Sequence, residues 1–211
     1  MALLHLQSLS IAKKLAILIA SAVAGVALLT ALFLYSERAL IMQERKASVQ
    51  QAVETAYGVL GHFGSQAAAG KLTKEAAQKM ALDALRSLRY SGNEYFWVND
   101  MTPVMIMHPI KPELETKDLS QNKDPEGKFL FVEFVNVVKA SGAGSVEYMW
   151  PKPGSDTPVR KVSYVKGYAP WGWVIGSGVY VDTVEATIRH RVIVFSLGAL
   201  ALALLLLGVG V

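Results

Sequence analysis

Two charge-free stretches, one near each end of the chain, constrain its folding more than any other feature. Residues 15–35 form an uncharged run of 21, preceded by Lys13 and Lys14, and residues 192–211 form a second of 20, preceded by Arg189, His190 and Arg191. At 1.5 Å rise per residue each run spans roughly 30 Å, the thickness of a hydrocarbon core. A helix buried in a soluble core would carry a polar stripe, and neither run has one. Both are therefore predicted to be transmembrane helices. The competing reading of the first run is a cleaved signal peptide. The run is longer than the usual apolar region of such a peptide and lacks a small-x-small site at its far end, so an uncleaved anchor is expected.

Lys13 and Lys14 place residues 1–14 in the cytoplasm by the positive-inside rule, and residues 36–191 outside. Arg189 and Arg191, on the outer side of the second run, pull against that orientation. The second run reaches the end of the chain, so a truncated chain is expected after Val211. Ala20, Ala24, Ala27 and Ala31 recur at heptad-like spacing. They are either a seam for close helix approach or simply the alanine common in such helices.

Composition removes several classes of function. The net charge of +4 is spread without any block of five like charges, which does not make a nucleic-acid surface. With no cysteine there is no disulfide framework, thiol nucleophile or cysteine-ligated metal. His5, His62, His108 and His190 have no metal-ligand spacing. Gly176 and Gly178 make a G-x-G without the third glycine or the helix that a phosphate loop requires. No nucleophile elbow is present. Neither enzymatic activity nor a cofactor is expected.

Between the apolar runs the hydrophobic periodicity changes along the chain. Residues 36–69 have a helical stripe through Leu40, Ile41, Ala52, Val53, Ala56, Leu60, Phe63 and Ala67, with Gly58, Gly61 and Gly64 either interrupting the helix or marking a close contact. Thr73 caps a second predicted helix running to about Tyr90. Residues 95–99 (YFWVN) and 104–108 read as a hairpin around Asp100-Met101-Thr102-Pro103. Asp124-Pro125-Glu126 has the signature of a helix start, with the end near Ser141-Gly142. Strands are predicted over 144–150, 159–168 and 173–181, and Asp182 with Glu185 as a capping box for the last helix. Strands joined by short turns, with helices set apart, imply an antiparallel sheet in an α+β domain.

Six blocks carry a family resemblance: NEYFWVND (93–100), MHPIKPEL (107–114), KDLS followed by DPEGK (117–128), YMWPKPGS (148–155), KVSYVK (161–166) and PWGWVIGSGVY (170–180). Together and in this order they resemble the type 2 single Cache domain, a PAS-like sensor of bacterial methyl-accepting chemotaxis receptors. The resemblance implies a long N-terminal helix, a central antiparallel sheet, a ligand pocket on one face of it, a sensor domain in the periplasm of a bacterium anchored in its inner membrane, and signalling through homodimers to a cytoplasmic signalling module beyond Val211.

A pocket for a small organic acid needs cationic or donor groups and aromatic walls. On a helical wheel Ala77, Ala81, Ala84, Leu85 and Leu88 share one face. Arg89 lies at its edge, beside Tyr90, while Arg86 points nearly opposite. Arg89 could pair with a carboxylate or lie solvated over the core edge. Tyr95 and Trp97 share one face of their strand, as pocket lining or as amphipathic core residues. His108, with Lys111 just beyond, could contact ligand or make a structural hydrogen bond. Tyr148 and Trp150 alternate together on the third strand, as do Lys161 and Ser163 on the fourth, with Tyr164 facing the other way. The resemblance places Tyr148, Lys161 and Tyr164 near the pocket. Trp171 and Trp173 are expected to pack at a strand start. The expected function is a receptor sensing a short-chain carboxylate such as acetate, propionate, pyruvate or lactate, with chemotaxis as the output. The alternatives are the sensor of a histidine kinase or diguanylate cyclase, or a tethered binding protein without output.

Overall fold

The computed structural model describes residues 10–209. Residues 1–9 of the expected cytoplasmic segment and the last two of the second apolar run lie outside them. The chain divides into two compact units, Met1–Met42 with Thr183–Val211, and Gln43–Asp182.

The first unit holds the beginning of helix α1 (Ile11–Ala68) and nearly all of the final helix, α4 (Asp182–Val209). Among the described residues one helix, α1, is long and apolar enough to cross a membrane. Within this unit Phe33 meets Phe195 edge-on at 5.3 Å between ring centres, and Arg191 pairs with Glu37. Leu18, Leu28 and Leu29 of α1 and Ile193, Leu197 and Leu204 of α4 stand exposed.

The second unit is the α+β domain. Its strands are β1 (Phe96–Asp100), β2 (Met105–Met107), β3 (Ala143–Pro151), β4 (Pro158–Tyr168) and β5 (Trp173–Tyr180), in one antiparallel sheet ordered β2-β1-β5-β4-β3. The first face of the sheet is covered by α1 and by α2 (Lys74–Ser87), through Val49, Val53, Ala56, Leu60, Ala81 and Leu85. The second face is covered by α3 (Leu130–Ser141), through Leu130, Phe131, Phe134, Val135 and Val138. Side chains alternate across a strand, so the domain has two cores with the sheet between them.

The glycines at 58, 61 and 64 do not interrupt α1. Gly64 marks a close contact instead, since a Cβ there would lie 1.8 Å from the Tyr168 hydroxyl. Thr73 caps α2 as expected, its Oγ1 accepting from Ala76 N at 3.2 Å. However, α2 stops at Ser87, about a turn earlier than its apolar stripe suggests.

The expected helix start at Asp124 is not one. The Asp124 carboxylate accepts from Glu126 N, Lys128 N and Met149 N at 2.9–3.0 Å, so its lone pairs close a loop and tie it to β3. The turn places Gly127 at φ +85°, which a helix cannot contain, and α3 begins at Leu130. It ends as expected, with Gly142 in the left-handed conformation. Asp182 opens α4 with its carboxylate on Lys152 at 2.6 Å rather than on a capping box. The Glu185 half of that expectation lies outside the described side chains.

Candidate functional site

Strand alternation settles which face carries the polar aromatics. Tyr95, Trp97 and Asn99 point to the α3 side, and so do Tyr148 and Trp150 of β3 and Lys161 and Ser163 of β4. Tyr180 joins them because it sits opposite Lys161 in the β4–β5 register. Two glycines of β5 make this close assembly possible. A Cβ on Gly176 would lie 2.4 Å from the Trp97 ring, and one on Gly178 would lie 2.0 Å from Ser163 Oγ.

The Lys161 side chain is at the centre of the cluster. It is 0% exposed, and its Nζ donates to Tyr95 Oη at 3.2 Å and to Tyr180 Oη at 3.4 Å. The ammonium also sits 4.2 Å from the Tyr95 ring centre, 4.6 Å from that of Tyr180 and 5.8 Å from that of Trp97. Among the described residues no carboxylate hydrogen-bonds to it. An isolated buried charge is costly, by several kcal/mol even after relaxation. Cation–π attraction in a desolvated cage offsets about 2 kcal/mol or somewhat more. The arrangement favours an added anion.

The surrounding groups are held in fixed, neutral states. Tyr95 Oη accepts from Trp150 Nε1 at 3.1 Å, and Tyr148 Oη shares a 2.9 Å hydrogen bond with Ser163 Oγ. Tyr180 Oη donates to the Pro151 carbonyl at 2.8 Å. Burial raises the Tyr148 and Tyr180 phenols, and the neighbouring Tyr95 raises both further. The Trp97 indole N–H donates to Asn99 Oδ1, so Trp97 offers the site its ring and not its donor.

His108 is 2% exposed and packs between Tyr95 and Trp150, at 5.1 and 6.1 Å between ring centres. Its Nδ1 accepts from Lys111 N at 2.9 Å and Ile110 N at 3.3 Å, which assigns the proton to Nε2. Burial, with Lys161 and Lys111 nearby, pushes its pKa down to about 3, so the ring is a neutral N–H donor. Lys111 is half-buried, with its ammonium 5.6 Å from the Trp150 ring centre.

The structure thus brings together Tyr95, Trp97, His108, Lys111, Tyr148, Trp150 and Lys161. Three other candidates stand elsewhere. Arg89 is exposed beyond the end of α2, and its guanidinium donates to the Arg86 and Leu88 carbonyls. With the helix ending at Ser87, these free carbonyls hold the arginine away from the cluster. Tyr90 packs in the first core beside Phe96, its hydroxyl 2.7 Å from Ser177 Oγ. Tyr164 also packs against the first core, as its opposite facing along β4 requires. Trp171 and Trp173 pack together at 4.8 Å between ring centres, at the start of β5.

Sequence reasoning passed over Tyr180. The signal for Tyr180 was the period-two pattern Gly176, Gly178, Tyr180, in which small residues clear one face of a strand that ends in a phenol. It also missed the partner of Arg86, which makes a bidentate pair with Glu115.

Residues 16–194 match the model of the Cache domain family. The chain belongs to that family. Over 201 residues, 95% of the chain, it is 43% identical to the methyl-accepting chemotaxis protein McpP of Pseudomonas putida. It spans 37% of that relative's length. Among solved structures it is similar to the periplasmic sensor domain of a chemotaxis protein, with 55% identity and a TM-score of 0.66 over 67% of this chain and 98% of the other. A second, described as the structural basis for carboxylic acid recognition by a Cache chemosensory domain, is 51% identical, with a TM-score of 0.66 over 67% of this chain and 97% of the other. The α+β domain of this Cache protein is therefore a sensor domain of the chemoreceptor kind.

Proposed function

We propose that this Cache protein is the sensory region of a bacterial inner-membrane chemoreceptor that binds a short-chain monocarboxylate in the periplasm and works as a homodimer. The observation that carries the ligand class is Lys161, a fully buried ammonium whose hydrogen-bond partners are two phenols. A carboxylate leaving water loses solvation that charged or strong donors must replace, and Lys161 with the neutral His108 N–H supplies both kinds. Among the described residues Lys161 is the one fully buried cation, which suits a monoanion better than a dicarboxylate. The carboxylic-acid-binding relative supports the same class. Exposed apolar side chains on α1 and α4 support two membrane spans, through which binding would shift the helices leading to a cytoplasmic module that drives chemotaxis.

Calorimetry on the full chain in lipid nanodiscs tests this reading. Acetate, propionate, pyruvate or lactate should bind, and succinate much more weakly. Lys161→Met should lose affinity by roughly 30-fold to several thousand-fold, as expected when a charged partner is removed from a desolvated bond. Its melting curve, recorded beside the calorimetry, should remain cooperative, which separates lost binding from lost folding. Wild-type affinity in Lys161→Met, or no binding of any of these acids, would overturn the assignment.

A further inference from the structure

The two apolar helices meet in an arrangement that the ligand site does not use. On α1 the half-buried positions Ile19, Val23, Val26, Thr30 and Glu37 recur, with Phe33 between the last two, at alternating steps of four and three residues. That is the spacing of a helix face packed against a second helix. Two contacts from this face join α1 to α4. Phe33 meets Phe195 edge-on at 5.3 Å between ring centres, and Glu37 pairs with Arg191. From Phe33 forward to Glu37 is four residues, and from Phe195 back to Arg191 is also four. Antiparallel helices held in one register show this relation. In the same register the half-buried Ala199 of α4 lies level with Leu29 and Thr30.

The charges allow no neighbouring register. Between residues 15 and 43 Glu37 is the one acid, and residues 192–211 contain no cation. Sliding α4 by one turn in one direction sets Arg191 against Ile41 and Glu37 against Phe195. Sliding it a turn the other way sets Arg191 against Phe33, inside the apolar run. Arg189 does not substitute, because two residues turn it about 200° around α4. Either slide separates two charges at the edge of the hydrocarbon, where lost solvation is hard to replace. Arg191 is also one of the two cations that oppose the orientation read from Lys13 and Lys14, and Glu37 neutralises it.

We propose that Glu37 and Arg191 lock the two membrane helices in one register at their outer boundary, so that a signal crosses as a shift within reach of this pair and not as a one-turn ratchet. The inference rests on the two-span reading above. Two flexible side chains follow a helix shift of about 1–2 Å, whereas a ratchet of about 5.4 Å pulls them apart. The Phe33 and Phe195 rings add an apolar contact beside the pair. Rings slide past one another and fix no register by themselves, so the lock is in the charges.

Disulfide formation in the otherwise cysteine-free chain reads the register directly. Full chain in lipid nanodiscs, with Ala199→Cys and one of Thr30→Cys, Val26→Cys or Leu34→Cys, is oxidised and scored for a bridge within one chain. Bridged Cα atoms lie within about 7 Å and one turn adds about 5.4 Å, so the three pairs are distinguishable. The Thr30 pair should dominate, both without propionate and with propionate at a concentration that calorimetry shows to saturate. Glu37→Gln and Arg191→Gln should each lower the ratio of this pair to the better offset pair by about 2–5-fold, the preference an ion pair at a wet boundary supports. The exchange of Glu37→Arg with Arg191→Glu should restore the ratio, which general loosening of the helices would not allow. An unchanged ratio in both single variants would overturn the lock, as would an exchange that restores nothing. An offset pair that dominates in wild type, with or without propionate, would overturn it too. Reaction of Ala199→Cys with a membrane-impermeant maleimide would remove the two-span reading itself, a result distinct from protected helices that ignore Glu37.

Discussion

Glu115 receives the Arg86 guanidinium in a bidentate pair, at 2.7 and 3.0 Å, while its Oε1 also accepts the backbone N–H of His108 at 2.9 Å. The arginine on the far side of the helical wheel thus braces the segment carrying His108, although it is not itself in the ligand cluster. Substituting Arg86 by Ala should loosen that segment and weaken propionate binding several-fold, with a smaller change in melting temperature because the pair is half-exposed. Hydrogen bonding from Arg86, chiefly, and from the His108 N–H holds the Glu115 carboxyl below its usual value. The stability this pair contributes is therefore present above the ordinary glutamate range and is lost as pH falls through the lowered value. Calorimetry beside melting curves reads both effects, and an unchanged affinity in Arg86→Ala would show that the brace is irrelevant to binding.

The Asp124 loop should matter to stability rather than to ligand. Burial would raise its carboxyl, but the N–H groups of Met149, Lys128 and Glu126 outweigh that and hold it below its usual value. Asp124→Ala leaves those donors without their partner and should cost about 2–3 kcal/mol. Asp124→Asn should cost less, because one amide oxygen still accepts. Denaturant unfolding of the two variants should show this order. In wild type the contribution should vanish as pH falls below the unfolded aspartate range and through the lowered folded value.

Element types were legible because periodicity and turn chemistry agree over most of the domain. The strands at 143–151, 158–168 and 173–180 lie within a residue of expectation. The misread positions are those where a polar side chain had two local uses. Asp124 fits a helix cap and an Asx-type loop equally well, and only its bond to Met149 N, across 25 residues, decides between them. Arg89 fits an apolar helix edge until α2 ends at Ser87 and leaves carbonyls for it to cap. The site divides in the same way. Alternation alone grouped Tyr95 with Trp97, Tyr148 with Trp150, and Lys161 with Ser163, whereas Tyr180 needs the β4–β5 register, which depends on pairing between strands.

The two-span topology has a direct test, because the chain contains no cysteine and one introduced thiol is unique. A membrane-impermeant maleimide should label Asp156→Cys in intact cells, since Asp156 lies exposed in the turn between β3 and β4. Labelling only after lysis would reverse the orientation derived from Lys13 and Lys14.

Tyr95 offers the sharpest separation of ring from hydroxyl. Its Oη accepts from both Lys161 Nζ and Trp150 Nε1, while its ring lies 4.2 Å from the same ammonium. Tyr95→Phe keeps the ring and removes the shared acceptor, so a half-buried indole N–H and one Lys161 proton lose their partner. That should cost about 1–3 kcal/mol in stability. Propionate affinity should also fall, because the ammonium is no longer held in one position. Tyr95→Leu removes the cation–π face as well and should weaken the domain by about 0.5–2 kcal/mol more. If the ligand carboxylate can replace the lost hydroxyl at Lys161, saturating propionate should restore more of the melting temperature in Tyr95→Phe than in Tyr95→Leu. Equal melting curves and affinities for wild type and Tyr95→Phe would mean that the hydroxyl does not hold Lys161, and that the cage is built by rings alone.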